Sequence, residues 1–155
     1  MLSFPTGTPV HATAIVVGEA GILFTGPSGA GKSATALRCL VSARDRGLHA
    51  ALVADDRTIL ETASGRVIAS CPPALAGKAE IRGTGLVHLA FRNTACLSLV
   101  IAPGEPTGPG RLPDSGEEAA IGGIALPVVR WVYASPLDPL EILEPFGMFR
   151  RILMP

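Results

Sequence analysis

Eight consecutive residues, Gly26-Pro27-Ser28-Gly29-Ala30-Gly31-Lys32-Ser33, constrain the fold more than any other part of this sequence. They match the full phosphate-binding loop (P-loop) pattern, GxxxxGK followed by Ser or Thr, in which glycines let backbone N–H groups curl toward an anion. The pattern needs a strand before the loop and a helix after it, because the helix N-terminus adds partial positive charge to the anion site. In this chemistry the lysine reaches the β- and γ-phosphates and the serine hydroxyl binds Mg²⁺. The predicted phosphate-binding residues are therefore Gly26, Ser28, Gly29, Ala30, Gly31, Lys32 and Ser33.

The residues before the loop predict a β-hairpin that leads into it. Two short apolar runs, 10–17 and 22–25, flank a glycine-bounded connection at residues 18–21. A connection centred between residues 19 and 20 pairs residue 11 with residue 28, so we expect His11 to lie opposite Ser28. A lone histidine is more often structural, and only this register makes His11 a candidate site residue.

The residues after the loop predict an amphipathic helix. Leu37, Leu40, Val41 and Arg44 follow the i, i+3, i+4, i+7 spacing of one helix face, and Gly47 predicts the helix end. A strand, a glycine-rich loop and a helix in this order satisfy the context that the phosphate-binding pattern requires.

Two carboxylates follow the next apolar run. Residues 50–54 (AALVA) show no polar alternation, which is typical of a strand buried on both faces of a sheet, and Asp55-Asp56 come directly after it. Because ligands bind outside the carboxyl ends of strands in α/β sheets, we expect both carboxylates to face the loop. Neighbouring strand residues point to opposite faces, so one aspartate can hold Mg²⁺ while the other accepts a proton from an attacking hydroxyl.

The remaining residues predict further strands and one long loop. We expect strands close to residues 58–60, 67–69, 96–102 and 124–133. The last of these should lie at a sheet edge because Pro127 interrupts it. Residues 103–118 are rich in proline and glycine without periodicity, which predicts a surface loop. A length of 155 residues predicts one domain spanning residues 1–155.

Composition and charge argue against several classes of function. Thirteen Lys and Arg balance thirteen Asp and Glu, and the chain has one Trp and one Tyr, so we expect neither a broad basic surface nor an aromatic platform for nucleic acid. No uninterrupted apolar stretch of about 18 residues occurs, so we expect no membrane span, and the N-terminus lacks the basic start of a secretory signal. Three widely spaced cysteines without a CxxC pair support neither zinc nor a disulfide framework and suit the reducing cytoplasm.

The combination of motifs resembles the catalytic domain of the HPr serine kinase/phosphorylase family. His11 stands 15 residues before Gly26, as the strand histidine of that family does, and the loop reads GPSGAGKS. Residues 52–56 read LVADD and residues 80–85 read EIRGTG, and both are similar to signatures of the family. The resemblance covers residues 9–103 in order, and the chain looks like the short form found in alphaproteobacteria.

The resemblance implies an α/β fold with a central mixed sheet flanked by helices, and an ATP- and Mg²⁺-dependent serine protein kinase. Its partner would be HPr or an HPr-like phosphocarrier protein of the sugar phosphotransferase system or its nitrogen-related branch. Family members also run the reverse reaction, in which phosphate attacks the phosphoserine and pyrophosphate leaves. The basic loop of longer members is not visible here, because residues 126–130 read LPVVR in its region, and this leaves phosphorolysis open.

The resemblance also implies roles for individual residues. Asp55 would be the general base, and Asp56 and His11 would assist it as catalytic residues. The metal would be held by Ser33, Asp55 and Glu80. Arg82 would support the signature loop at the cofactor site. From the habit of the family and the apolar tail at residues 146–154, we also expect a homo-oligomer.

Two other functions remain open at this point. A small-molecule kinase would carry the same loop, but such enzymes usually have an arginine-bearing lid, and Arg111 is the only basic residue in the loop 103–118. A nucleotide-binding regulatory module with little turnover is favoured by Ala34, which stands where the family usually has Asp or Glu. His11, Asp55 and Asp56 favour a kinase over such a module.

Overall fold

The computed structural model of the chain describes residues 1–143. The strands are β1 (Leu2–Phe4), β2 (Pro9–Val10), β3 (Ala12–Val17), β4 (Ala20–Thr25), β5 (Ala50–Ala54), β6 (Thr58–Ala63), β7 (Arg66–Ser70), β8 (Lys78–Ile81), β9 (Gly85–His88), β10 (Thr94–Pro103), β11 (Glu118–Ile121) and β12 (Ile124–Trp131). The helices are α1 (Lys32–Asp45) and α2 (Pro139–Leu143), with short 3₁₀ turns at Pro73–Leu75 and Pro109–Arg111. The tail 146–154, on which the predicted oligomer depends, lies outside the described residues.

A mixed sheet forms the centre of the fold, as the family resemblance implies. Its main path runs β1-β11-β12-β10-β4-β3-β5, and β2, β6 and β7 join it at the side, while β8 and β9 form a separate hairpin. The central strand β10 is parallel to β4 and β12 and antiparallel to β7. Because β4 and β10 run in the same direction, their carboxyl ends meet at one edge of the sheet, where the glycine-rich loop begins.

The two faces of the sheet are covered by different kinds of structure. One face packs against α1 and α2, through buried side chains such as Phe24, Leu40 and Leu140. On the other face, Leu60 of β6 and Val67 of β7 pack over the sheet, and no helix contributes to that core among the described residues. The expectation of a sheet flanked by helices is therefore correct for one face only, because a strand hairpin with alternating apolar residues covers the other.

The hairpin before the loop is tighter than predicted. Gly18 and Glu19 alone connect β3 to β4, and the strands pair antiparallel with Ala12 opposite Thr25. Ala20 and Gly21, expected in the connection, belong to β4. Continuing the observed register places His11 opposite residue 26, so the expected pairing of His11 with Ser28 is wrong by two residues.

Helix α1 follows the loop as predicted, but a different face is buried. Its buried apolar residues are Ala36, Cys39, Leu40 and Ala43, whereas Val41 is 57% exposed. Small residues let the helix lie close to the sheet, and a pattern that weights large apolar side chains misses them. The predicted end is confirmed: Gly47 has φ +75° and donates its N–H to the Arg44 carbonyl (2.9 Å).

The strands predicted after α1 are present, with one error of placement. All residues of β5 are buried as expected, and the main chain of residues 90 and 92 hydrogen-bonds to Leu52 along its free edge. The predicted edge position of the 124–133 strand is wrong, because β12 lies between β11 and β10. Pro127 is tolerated there because pairing with β10 begins only at Val128. Among residues 1–143, no helix has the length and apolar character needed to span a membrane.

Candidate active site

The glycine-rich loop joins the carboxyl end of β4 to the start of α1. Gly26 (φ +138°) and Gly31 (φ +106°) have backbone conformations that residues with a Cβ rarely adopt. A Cβ at Gly26 would lie 2.8 Å from Cγ of Pro103, and a Cβ at Gly31 would lie 3.1 Å from Cβ of Tyr133. The loop therefore rests directly on the end of β10 and on the segment after β12, and both close approaches favour glycine.

Lys32, the first residue of α1, is a buried cation that is 4% exposed. Its Nζ donates hydrogen bonds to the carbonyl oxygens of Gly26 (2.8 Å) and Pro27 (3.0 Å) and lies 3.7 Å from Oδ1 of Asp56. An ammonium group is expensive to bury without partners, and these three oxygens supply them. The first turn of α1 contains no acidic residue of its own, so the helix itself supplies no carboxylate against the positive end of its dipole.

Asp55 follows β5, and both of its carboxylate oxygens accept hydrogen bonds. Oδ1 accepts from the hydroxyls of Ser33 (2.5 Å) and Thr13 (3.2 Å), and Oδ2 accepts from the backbone N–H of Glu80 (3.0 Å). The start of α1, strand β3 and strand β8 therefore converge on this one carboxylate. A hydroxyl in contact with a carboxylate provides the hard oxygen donors that Mg²⁺ prefers, which makes Ser33 and Asp55 candidate metal ligands.

Asp56 has a different environment because the chain turns sharply after Asp55. The N–H of Arg57 donates to the Asp55 carbonyl (2.8 Å), and Asp56 between them has φ +60°, which is an uncommon conformation for a residue with a Cβ. The Asp56 side chain is 48% exposed, and its Oδ1 lies 3.7 Å from Nζ of Lys32 and 3.8 Å from Nδ1 of His11. Both carboxylates lie on the loop side, and the prediction that they point to opposite faces is wrong because the turn interrupts strand alternation.

His11 lies beside Asp56 and not, as predicted, opposite Ser28. It lies between β2 and β3, and its side chain is 72% exposed. Its only ion-pair geometry among the described residues is the approach to Asp56. Asp56 is therefore placed between an exposed imidazole and the buried ammonium group of Lys32.

The EIRGTG segment forms the β8–β9 hairpin beside the loop. Its turn is closed by a hydrogen bond from the Thr84 N–H to the Ile81 carbonyl (2.9 Å). Arg82 in this turn lies against the loop, because a Cβ at Gly29 would be 3.2 Å from Nη1 of Arg82. Within residues 1–143 no hydrogen bond or ion pair engages the Arg82 guanidinium, so its five N–H donors remain available to a ligand.

A cavity of about 310 Å³ lies between the loop, the aspartates and this hairpin. Its lining consists of Ser28, Gly29, Gly31, Lys32, Ser33, Ala34, Asp55, Asp56, Glu80, Ile81 and Arg82. Three predicted site residues are outside the lining: His11 approaches Asp56 from the exposed side, Gly26 packs on Pro103, and Ala30 packs on the core under α1. Most of the predicted site residues are thus brought together around one cavity.

Two groups around the site have perturbed pKa values. Burial raises the pKa of the Cys71 thiol, and the negative charge of Asp55 raises it further, so the thiol stays neutral near the carboxylate. Burial also raises the pKa of the Tyr133 hydroxyl, which donates a hydrogen bond to the Thr25 carbonyl (2.7 Å). Tyr133 is therefore a neutral donor that ties the segment after β12 to the end of β4.

Sequence reasoning missed Thr13, Pro103 and Tyr133. Thr13 carries a detectable signal, because it is the one polar residue in an otherwise apolar strand. Pro103 and Tyr133 carry none, because their contacts with Gly26 and Gly31 join residues that are far apart in the chain and no local pattern encodes them.

Comparison with known proteins identifies relatives of this chain. A family model described as the HPr serine kinase C-terminal domain matches residues 3–95. The HPr kinase/phosphorylase of Clostridium tetani is 40% identical over 82 residues, covering 53% of this chain and 25% of the relative. That of an Azoarcus species is 34% identical over 152 residues, covering 87% of this chain and 45% of the relative.

A solved structure agrees with these sequence matches. The Hpr(Ser) kinase/phosphatase of Coxiella burnetii superimposes with a TM-score of 0.68 and 26% identity, covering 92% of this chain and 94% of that one. The chain spans between a quarter and just under half the length of the two curated relatives above. Because the family model matches more than half of its residues, the chain belongs to the HPr serine kinase C-terminal domain family.

Proposed function

We propose that this chain is an ATP- and Mg²⁺-dependent kinase that transfers the γ-phosphoryl group to a seryl hydroxyl of HPr or an HPr-like phosphocarrier protein. One observation carries the proposal: Lys32, Ser33, Asp55 and Asp56 line a single cavity, with Asp56 beside the ammonium group and Asp55 in contact with the serine hydroxyl. The substrate class follows from family membership, since the matched relatives are named HPr kinase/phosphorylase.

The oxygen donors of the cavity fit Mg²⁺. Ser33 and Asp55 offer a hydroxyl and a carboxylate 2.5 Å apart, and Glu80 is among the residues that line the same cavity. Residues 1–143 contain no cluster of three or more His, Cys, Asp or Glu side chains, which suits an ion held by one or two protein ligands together with nucleotide phosphates. When bound, the ion neutralises charge on the β- and γ-phosphates.

The loop and the start of α1 are suited to hold those phosphates. Gly31, Lys32, Ser33 and Ala34 at the start of α1 line the cavity, and the first turn of the helix contains no acidic side chain that would compete with an anion. Lys32 exchanges its contacts with the loop carbonyls for phosphate oxygens. Arg82, which has no partner in the described part of the chain and lies against Gly29, binds the outer phosphate from the opposite side.

We assign the general base to Asp56 and the metal-holding role to Asp55, a revision of the roles that resemblance alone implied. Asp55 already accepts three hydrogen bonds, including one from Ser33. Asp56 is half-exposed and therefore accessible to an incoming seryl hydroxyl, and a base must reach the proton that it removes. Lys32 and His11 flank the Asp56 carboxylate and hold it in place at the cavity.

Transfer of the γ-phosphoryl group to the seryl hydroxyl needs no group beyond these residues, the metal and the two substrates. The seryl oxygen forms a bond to the γ-phosphorus, the bond from that phosphorus to the bridging oxygen of ADP breaks, and the hydroxyl proton passes to Asp56. In phosphorolysis, an oxygen of inorganic phosphate forms a bond to the phosphorus of the phosphoserine, the bond from that phosphorus to the seryl oxygen breaks, protonated Asp56 gives its proton to the seryl oxygen, and pyrophosphate leaves. We include this phosphorolysis in the proposal because Arg82 is free to hold the attacking phosphate.

A cytoplasmic location completes the proposal. An HPr-like phosphocarrier is an intracellular substrate class, and the cysteines Cys39, Cys71 and Cys96 are all free thiols.

The test is a transfer assay with two matched asparagine variants. The purified protein is incubated with γ-labelled ATP, Mg²⁺ and the HPr-like proteins of its host. We expect label on a seryl residue of one partner. Asp56→Asn should lower the transfer rate by at least about 100-fold while ATP binding persists, whereas Asp55→Asn should weaken the Mg²⁺ dependence of ATP binding.

Each alternative gives a different result. Measurable ATP binding without label on any partner would contradict the kinase proposal and favour a nucleotide-binding module. A different pair of results would identify Asp55 as the general base. In that case Asp56→Asn would keep full activity, and Asp55→Asn would lose transfer while the metal dependence of ATP binding stayed unchanged.

A further inference from the structure

Thr13 is a buried hydroxyl placed between the two aspartates. It lies in β3, where the other five residues are apolar, and it is 1% exposed. Its Oγ1 donates to Oδ1 of Asp55 (3.2 Å) and accepts from the backbone N–H of Asp56 (3.2 Å). One side chain therefore contacts the carboxylate of the first aspartate and the main chain of the second.

The register of the sheet explains this placement. Ala14 of β3 pairs with Ala54 at the end of β5, so Thr13 comes level with Asp55 where β5 ends. Strand alternation puts Thr13 on the same face as Ile15 and Val17, which belong to the core under α1. The hydroxyl is thus on the loop side of the sheet, within reach of the turn at residues 55–57.

The turn that Thr13 contacts decides where the Asp56 carboxylate lies. Asp56 has φ +60°, a conformation that residues with a Cβ keep only where the surroundings hold it. In this conformation its N–H is directed at Thr13, and its carboxylate comes to 3.7 Å from Nζ of Lys32 and 3.8 Å from Nδ1 of His11. An extended backbone would instead send Asp56 to the face opposite Asp55.

We propose that Thr13 is a positioning residue that holds Asp56 in this turn and so directs its carboxylate toward the acceptor hydroxyl, an inference that rests on the function proposed above. Thr13 acts through Asp55 and Asp56 and lies outside the cavity lining. Valine has nearly the same shape but can neither donate nor accept a hydrogen bond, whereas serine can do both. These two substitutions separate the hydroxyl from the volume of the side chain.

The test compares Thr13→Val and Thr13→Ser with Thr58→Val as a matched control. Thr58 is equally buried and donates to the Ala12 carbonyl (2.8 Å) but makes no hydrogen bond to either aspartate. We expect Thr13→Val to lower kcat for serine phosphorylation by about 10- to 100-fold while KM for ATP changes less than about threefold. Thr13→Ser should keep kcat within about threefold of the parent, and Thr58→Val should lower the thermal midpoint with a similarly small effect on kcat.

A second readout does not depend on turnover. In a crystal structure of Thr13→Val, Asp56 should leave the positive-φ turn and its carboxylate should move away from Lys32. An unchanged Asp56 conformation, equal losses of kcat in Thr13→Val and Thr58→Val, or failure of serine to restore kcat would each overturn the proposal. If the parent transfers no phosphate, the proposed function fails, and the crystal structure alone decides whether Thr13 places Asp56. Thr13→Ala, which also lacks the hydroxyl, replaces the valine variant if that variant does not fold.

Discussion

Replacing Gly26 by alanine should destabilise the protein by two separable effects. The first is backbone strain, because φ at Gly26 is +138° and residues with a Cβ rarely adopt that value. The second is a collision, because the new Cβ would lie 2.8 Å from Cγ of Pro103, well inside the 3.4 Å at which ordinary contacts begin. The two effects act at the point where the loop rests on the sheet.

The expected magnitude follows from these two effects. A strained backbone conformation costs about 1–3 kcal/mol, and overpacking against a rigid neighbour costs about 1–3 kcal/mol. Gly26→Ala should therefore lower the free energy of unfolding by about 2–6 kcal/mol. Gly65 is the control for strain alone, because it has φ +75° and no atom lies within 4 Å of a Cβ built there. Gly65→Ala should lower the same free energy by only about 1–2 kcal/mol.

A double-mutant cycle in urea isolates the collision. Pro103→Ala removes the ring that the new Cβ meets, so the Gly26→Ala/Pro103→Ala protein should be more stable than the sum of the single changes predicts, by about 1–3 kcal/mol. Gly26→Ala should also weaken ATP binding, measured by calorimetry. Strict additivity of the two substitutions, or equal destabilisation by Gly26→Ala and Gly65→Ala, would refute the assigned contact between the loop and β10.

Three further predictions concern Arg82, Tyr133 and Cys39. Arg82→Ala should lower kcat by about 10²- to 10³-fold, because the guanidinium against Gly29 has no other partner within residues 1–143, and an unchanged rate in the transfer assay would exclude a phosphate contact. Tyr133→Phe should destabilise the protein by about 1–2 kcal/mol in urea, because the Thr25 carbonyl loses its 2.7 Å donor; stability equal to the parent would contradict that bond. Burial, reinforced by Asp138, raises the pKa of the Cys39 thiol from 9.0 to about 12, so the thiol ionises more easily after unfolding. The contribution of this thiol to the free energy of unfolding is complete below pH 9 and falls as the pH rises toward 12, by up to about 1.4 kcal/mol per pH unit. When the free energy of unfolding is measured between pH 8 and about 11, it should fall less steeply with pH in Cys39→Ala than in the parent. Identical slopes in the two proteins would refute the shift.

Local patterns predict the parts of this fold that depend on neighbours in sequence. The glycine-rich loop, the helix that follows it and the buried strand before Asp55 are each encoded within a few residues, and each occurs where the sequence predicts it. The predicted hairpin register is wrong because both a two-residue and a four-residue connection fit the same glycines, and only the strand pairing in the structure distinguishes them. The edge position predicted for β12 is wrong. Pro127 pairs with β11, and the pairing of β12 with β10 begins only at the next residue, so the proline does not prevent a position between the two strands.

The site is less predictable than the motifs that mark it. Two adjacent aspartates are visible in the sequence, but their different environments depend on the turn at Asp56 and on Thr13, a residue 43 positions earlier. Strand alternation predicts opposite faces for the two carboxylates, and the positive φ of Asp56 brings them to the same side. The support of the loop by Tyr133 comes from more than 100 residues away and has no local signature.

In the proposed mechanism, Asp56 accepts the proton of a seryl hydroxyl while Asp55 holds the metal. The most direct measurement is the rate of phosphoserine formation on the HPr-like partner, followed by mass spectrometry at saturating ATP and Mg²⁺, in Asp56→Asn and the parent protein. We expect a modified serine with the parent and a rate at least about 100-fold lower with Asp56→Asn at equal ATP occupancy. A rate within about threefold of the parent would contradict it, since removal of a general base cannot leave the chemical step unchanged.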